Sequence, residues 1–186
     1  MLLATPYLTP SMQTALATRC APIQLLLMDV DGVLTGGDIS YDYEGVELKS
    51  FNVRDGLGLK IWMQAGKSAG VMSGRTSRTV VVRAAEFGLD PVWQGLSDKR
   101  PALAETLQRR QLKPEQVCFI GDDLPDLPVM RQVGLAVAVA DAFPDVAHLA
   151  HFVTTAPGGK GAVRETIEMI LRSQGLWQKV VERYYQ

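Results

Sequence analysis

The chain has 186 residues, which suits one domain with a full core, with at most an appendage. Lys and Arg number 19 against 20 Asp and Glu, so no net field draws nucleic acid or an anionic membrane surface, and the charge of any ligand must be met locally. At 47% hydrophobic and 21% charged residues the composition is not that of a disordered chain, and two cysteines do not make a disulfide framework. Cys118 lies in the apolar run VCFIG and reads as a small buried thiol, which fits a reducing compartment.

The first stretch, MLLATPYLTPSMQTALATRC, has no early Lys or Arg and no long apolar run, so it is a poor leader. No segment approaches the roughly 18 apolar residues of a membrane span. A soluble cytoplasmic protein is expected. Strands are predicted at Ile23–Asp29, Ser68–Ser73, Val92–Gln94, Gln116–Gly121, Gly134–Val139 and His151–Val153. Helices are predicted between them at Gly56–Ala65, Ser77–Phe87, Asp98–Arg110, Leu124–Val133 and Gly161–Ser173. Strands apolar on both faces and separated by helices predict an α/β fold, a doubly wound parallel sheet in one domain over residues 1–186. One segment breaks this rhythm. GDISYDYEGVELKSF, Gly37–Phe51, reads as a β-hairpin inserted after the first strand, too short to be a cap domain. The last residues, GLWQKVVERYYQ, read as a short helix with aromatic anchors.

In such a sheet the ligand crevice lies beyond the carboxyl ends of the strands. Those ends carry a consistent chemistry. The first strand runs into Asp29 and Asp31, the second into Ser73, and the fourth into Asp122 and Asp123 with Asp126 a turn further on. Lys99 opens the helix after the third strand. Several carboxylates in one crevice repel unless a cation or a proton intervenes. Oxygen-only ligands favour a hard divalent ion such as Mg²⁺, bridging Asp29 and Asp122, while Asp31 escapes the repulsion by holding a proton. Phosphoryl transfer uses this set: Asp29 as nucleophile, Asp31 as acid and then base, Lys99 and Ser73 on the phosphate oxygens. Gly32 lets the backbone turn tightly toward the phosphate.

The ordered motifs DVDGVLT, SGR, DK and IGDDLPD resemble those of the haloacid dehalogenase superfamily of phosphatases. FNVRDGLGLK, GGKGAVRE and the missing cap are similar to the 3-deoxy-D-manno-octulosonate 8-phosphate phosphatases of lipopolysaccharide synthesis. The resemblance implies Asp29 as nucleophile, Asp31 as acid/base and metal ligand through its backbone carbonyl, and Asp122 as metal ligand. It implies Ser73 and Lys99 as phosphate binders; Gly74 and Arg75, in the same SGR motif, are counted with them. It also implies a homotetramer whose hairpins and C-terminal segments complete neighbouring sites. Ser73 stands where close relatives often carry Thr, which keeps the hydroxyl. Asp123 and Asp126 are read as support for the ligands or for Lys99.

Blander readings compete at several positions. DxD is often a capped turn, Ser73 could cap a helix, and a lysine at a helix start is usually solvated. Arg54 and Asp55 could be a surface ion pair opening a helix, or Arg54 could meet the substrate carboxylate. GGKG can present N–H groups to an anion but lacks the P-loop pattern. His148 and His151 have no companions at zinc spacing. The competing functions are a phosphatase of a nine-carbon keto-sugar acid phosphate, a phosphoacceptor receiver domain, and a non-catalytic interaction module. The receiver reading needs an acid at the tip of the middle strand, and PVWQG has none.

Overall fold

The computed structural model describes residues 9–186; residues 1–8, the start of the stretch read as a poor leader, lie outside the described residues. The chain begins with α1 (Pro10–Cys20) and β1 (Leu25–Met28), followed by the hairpin strands β2 (Ser40–Tyr41) and β3 (Glu47–Leu48). Then come α2 (Val53–Gln64), β4 (Ser68–Met72), α3 (Arg78–Phe87), β5 (Val92–Trp93) and α4 (Arg100–Arg110). The second half runs β6 (Val117–Gly121), α5 (Leu127–Met130), β7 (Leu135–Ala138), α6 (Pro144–Leu149), β8 (Phe152–Val153), α7 (Ala162–Ser173) and α8 (Trp177–Val181).

Six strands form one sheet in the order β5-β4-β1-β6-β7-β8, and every pairing in it is parallel. The side chains of β1 show why the sheet is covered twice. Leu25 and Leu27 face one layer with Leu103 of α4, Val129 of α5 and Val146 of α6. Leu26 and Met28 face the other, with Trp62 of α2, Ile167 of α7 and Leu16 of α1. All four strand residues are fully buried. Each such side chain contributes about 1.5–3 kcal/mol, so the end of β1 is a rigid anchor. The chain winds outward from β1 through β4 to β5, then returns to β6 on the other side of β1. The order therefore reverses between β1 and β6, and a crevice opens past their carboxyl ends.

The hairpin β2–β3 stands apart as a two-stranded sheet, as the sequence predicts. Three elements differ from expectation. Helix α1 forms where only a poor leader was read: Thr9 Oγ1 accepts from Met12 N (3.3 Å) and Pro10 opens the first turn, a helix start legible in TPSM. The helix expected over Leu124–Val133 is cut to a 3₁₀ turn, Leu124–Asp126, and the four-residue α5, because Pro125 and Pro128 remove backbone donors. Helix α6 was not anticipated; Phe143 and Pro144 start it. Among the described residues no helix is long and apolar enough to cross a membrane.

Candidate active site

Asp29 follows β1 directly, and its N–H donates to Ile120 O (3.0 Å), which ties it to β6. Lys99 is the residue before the first turn of α4 and is 3% exposed, not solvated. Its Nζ donates to Asp29 Oδ1 (2.8 Å) and to Asp126 Oδ1 (2.6 Å). Burial works against the lysine's charge, but Asp126 and Asp29 outweigh it and hold the pKa above its ordinary value. Lys99 is thus an ammonium fixed between two acids.

Asp122 leaves β6 and lies over the β1 loop. A Cβ on Gly32, whose φ is +94°, would stand 2.0 Å from Asp122 Oδ2. Glycine is required there both by backbone conformation and by space. Carboxylate oxygens of Asp29, Asp122 and Asp126 lie within 4.8 Å of one another. Burial, then Asp126, pushes Asp29 up to about 6 against the pull of Lys99. Burial, then Asp29, Asp126 and Asp123, pushes Asp122 up to about 8. These carboxylates are crowded for want of positive charge.

The donor set fits a hard divalent cation. Asp122 Oδ1 is buried without a hydrogen-bond partner, a state that costs about 1–3 kcal/mol unless another ligand meets it. Asp126 is different. Its Oδ1 takes Lys99, and its Oδ2 accepts from Asp122 N (2.9 Å) and Asp123 N (3.5 Å). Both oxygens are engaged, so Asp126 positions Lys99 and the turn, and the free ligand atoms are those of Asp29 and Asp122. Asp123 is exposed and caps the turn through Leu124 N (2.8 Å).

Asp31 turns toward the hairpin. Lys49 Nζ, on a side chain only 1% exposed, ion-pairs with Asp31 Oδ1. Arg75 Nε lies 3.8 Å from Asp31 Oδ2, and Arg75 Nη2 donates to Glu47 Oε1 (2.7 Å) and Tyr41 Oη (3.4 Å). Hydrogen bonds from Ser77 and Arg75 hold Glu47 down to about 2, so it stays ionised and retains Arg75. Ser73 follows β4 directly, is 2% exposed, and accepts from Arg75 N through its Oγ (3.2 Å). Ser77, not Ser73, precedes α3. Gly74 is exposed beside it.

Thus Asp29, Asp122, Asp126 and Lys99 form one cluster, and Asp31 and Arg75 join the rim. Arg54 makes none of these contacts; it is exposed at the start of α2, with its backbone N–H on Asn52 Oδ1 (2.8 Å). The surface ion pair considered for Arg54 and Asp55 does not form. Asp55 is 1% exposed and accepts from Gly161 N and Arg164 N instead. Lys49 and Glu47 were missed as site residues, because in ELKS they look like ordinary charged strand positions.

Residues 71–165 match the family described as haloacid dehalogenase-like hydrolase. The chain is 48% identical over 156 residues to a 3-deoxy-D-manno-octulosonate 8-phosphate phosphatase of Yersinia pestis, covering 84% of this chain and 83% of that one. A crystal structure of the phosphatase of that name from Yersinia pestis superposes with a TM-score of 0.86 at 46% identity, over 87% of this chain and 88% of that one. The corresponding phosphatase of Moraxella catarrhalis, solved with a magnesium ion, a phosphate ion and a KDO molecule, gives 0.89 at 37% identity, over 91% and 97%.

Proposed function

Because this chain belongs to the haloacid dehalogenase-like hydrolases, we propose that it is a Mg²⁺-dependent phosphomonoesterase. Its substrate is 3-deoxy-D-manno-octulosonate 8-phosphate, hydrolysed to the free sugar acid and phosphate in lipopolysaccharide precursor synthesis. The observation that carries this reading is the buried Asp29–Lys99–Asp126 chain beside an unpaired Asp122 at the ends of β1 and β6. The eight-carbon sugar acid is favoured over the nine-carbon one by the relatives' names and by the KDO in the Moraxella catarrhalis complex.

Asp29, Asp122 and the Asp31 carbonyl would hold the Mg²⁺, which would neutralise charge on the phosphate and its carboxylate ligands. Lys99, the Ser73 hydroxyl and the Gly74 N–H bind phosphate oxygens, and Lys99 also keeps Asp29 aimed. The Asp29 carboxylate attacks phosphorus and the ester P–O bond breaks, leaving an aspartyl-phosphate. Asp31 gives its proton to the departing alkoxide. It then takes a proton from the water that attacks the aspartyl-phosphate and frees inorganic phosphate. Arg75, which lies 3.8 Å from Asp31, is assigned to the substrate, and Arg54 is the further candidate for its carboxylate.

The protein works as one domain in the cytoplasm, as a homotetramer. Ile39, Tyr41, Val46 and Leu48 of the hairpin are 41–58% exposed, and an isolated two-stranded hairpin is marginal in water. Pairing with hairpins of other copies covers these side chains and brings one copy's hairpin to its neighbour's crevice. Phosphate release from a panel of eight- and nine-carbon sugar-acid phosphates, with Mg²⁺ and after chelation, tests the activity. Faster turnover of the nine-carbon ester, or undiminished turnover after chelation, refutes it. The double variant Ile39→Asp/Leu48→Asp should sediment as a smaller species with reduced sugar-acid turnover; a fully active monomeric wild type at low concentration refutes the assembly.

A further inference from the structure

Two stretches that the sequence singles out, FNVRDGLGLK and GGKGAVRE, have little part in the chemistry above. They meet behind the loop that carries Asp31. Asp55 sits in the first turn of α2 and is 1% exposed. Its Oδ1 accepts from Arg164 N (2.8 Å) and its Oδ2 from Gly161 N (3.2 Å). A carboxylate of one helix therefore caps the start of another, at the positive end of the α7 dipole. The two helices touch closely there: a Cβ on Gly58 would stand 3.1 Å from Arg164 Cα.

The segment leading into α7 is laid on the β1 loop without a gap. A Cβ on Gly158 would stand 1.7 Å from Gly32 O, and one on Gly159 2.5 Å from the Thr35 carbonyl carbon. Gly159 N donates to Val33 O (2.9 Å), Asn52 Nδ2 donates to Gly159 O (3.2 Å), and Gly158 N donates to Asp141 Oδ1 (2.9 Å). The loop beneath is tied into a ring by Thr35. Its Oγ1 donates to Val30 O (3.3 Å) and accepts from Gly32 N (3.4 Å) and Gly37 N (3.3 Å). Asp31 lies inside that ring. Its side chain is met in front by Lys49 and Arg75, and the backbone that follows it, Gly32–Gly36, is supported from behind by Gly158 and Gly159.

The geometry points to Asp55 as a positioning residue for Asp31. Its carboxylate fixes the start of α7, the segment before α7 presses on Gly32–Thr35, and that backbone sets where the Asp31 carboxyl group stands. The inference rests on the reading of Asp31 as the acid that protonates the leaving alkoxide. It explains why a buried acid in α2 and a double glycine over a hundred residues later accompany the strand-end motifs. The glycines touch the backbone just after Asp31, and Asp55 reaches it only through them, by fixing the start of α7.

Asp55→Asn keeps the size but turns one acceptor into an amide donor facing an N–H. It is compared with wild type and Asp31→Asn on two esters, the sugar-acid phosphate and p-nitrophenyl phosphate, whose leaving group departs without a proton. Misplacement of a catalytic group by about 1 Å costs about 10²-fold, so kcat on the sugar-acid phosphate should fall about 10- to 100-fold. On p-nitrophenyl phosphate the loss should be at least about fivefold smaller, since the acid contribution is not used there and only the hold of the Asp31 carbonyl on Mg²⁺ is shared. Amide exchange should rise over residues 32–37 and not in β1 or β6. Equal loss on both esters, or no loss on either, overturns the proposal. If Asp31→Asn itself fails to distinguish the two esters, the acid role of Asp31 falls and this inference with it; if it does distinguish them and Asp55→Asn does not, only the inference falls. Should Asp55→Asn not fold, Asn52→Ser decides. It keeps a cap for α2 and deletes the bond to Gly159, and it should show the same selective loss to a smaller degree; an unselective loss or none overturns the proposal.

Discussion

The acids at the strand ends and the charges of the hairpin face the same crevice but are built on opposite principles. Asp29 and Asp122 leave central strands whose residues are fully buried, and Lys99 and Asp126 are 3% and 1% exposed. Their positions are set by the sheet, and burial tunes their protonation. Tyr41, Glu47 and Lys49 hang from two strands of two residues each, beside side chains that are half exposed. Ion pairs across the crevice, rather than a core, hold that region. The lesson is a division of labour. The acids and the lysine at the strand ends are made rigid, whereas the charges that meet Asp31 and Arg75 are mounted on a part whose stability depends on what packs against it.

The largest effect belongs to the rigid half. Asp29→Asn should remove turnover while circular dichroism and melting stay native-like, because the side chain keeps its size. A folded variant with full activity takes Asp29 out of the mechanism. Asp31→Asn should lower kcat on the sugar-acid phosphate by about 10²–10⁴-fold, the range of a general acid–base group. Retention of more than half the rate moves the acid elsewhere. In the hairpin half, Lys49→Met deletes one charged hydrogen bond to Asp31, worth about 1.5–3 kcal/mol, or roughly 10- to 100-fold in kcat. An effect equal to that of Asp31→Asn breaks the comparison, because the hairpin would then be as indispensable as the strand ends.

The smallest effect reads the buried acids directly. Without metal, Asp29 and Asp122 keep their protons up to about 6 and about 8 when folded, against an ordinary value of 3.8. Between these limits the folded state binds more protons than the unfolded one, so stability falls as pH rises through the window. The melting temperature of the chelated protein should drop by roughly 10 °C between about pH 5.5 and about pH 8.5, and Mg²⁺ should recover more of it at the higher pH. A melting temperature that climbs across that range contradicts the crowding. Glu47 does not interfere, since its lowered pKa of about 2 acts only in more acidic solution.

Much of the phosphate site is legible in the chain because it depends on a local pattern. An apolar run that ends in an acid, repeated at separate strands, determines both a buried parallel strand and the end at which its chemistry stands. LLLMDVDG and VCFIGDD each state this within a few residues, and the sheet does the rest. Where one local pattern fails, another local rule prevails, as with Pro125 and Pro128, which break the apolar period over Leu124–Val133. The remaining choices belong to tertiary structure. Whether Asp126 takes a metal or Lys99 depends on which donors surround its two oxygens. Whether Lys49 is solvated or set against Asp31 depends on how the hairpin folds back over 18 positions. Whether Asp55 pairs with its neighbour or caps α7 depends on a helix 109 residues away. Hydrogen bonds and ion pairs act over a few ångströms, so the sequence by itself determined which groups are available and on which strand ends they lie, and only the folded packing decided which of them meet.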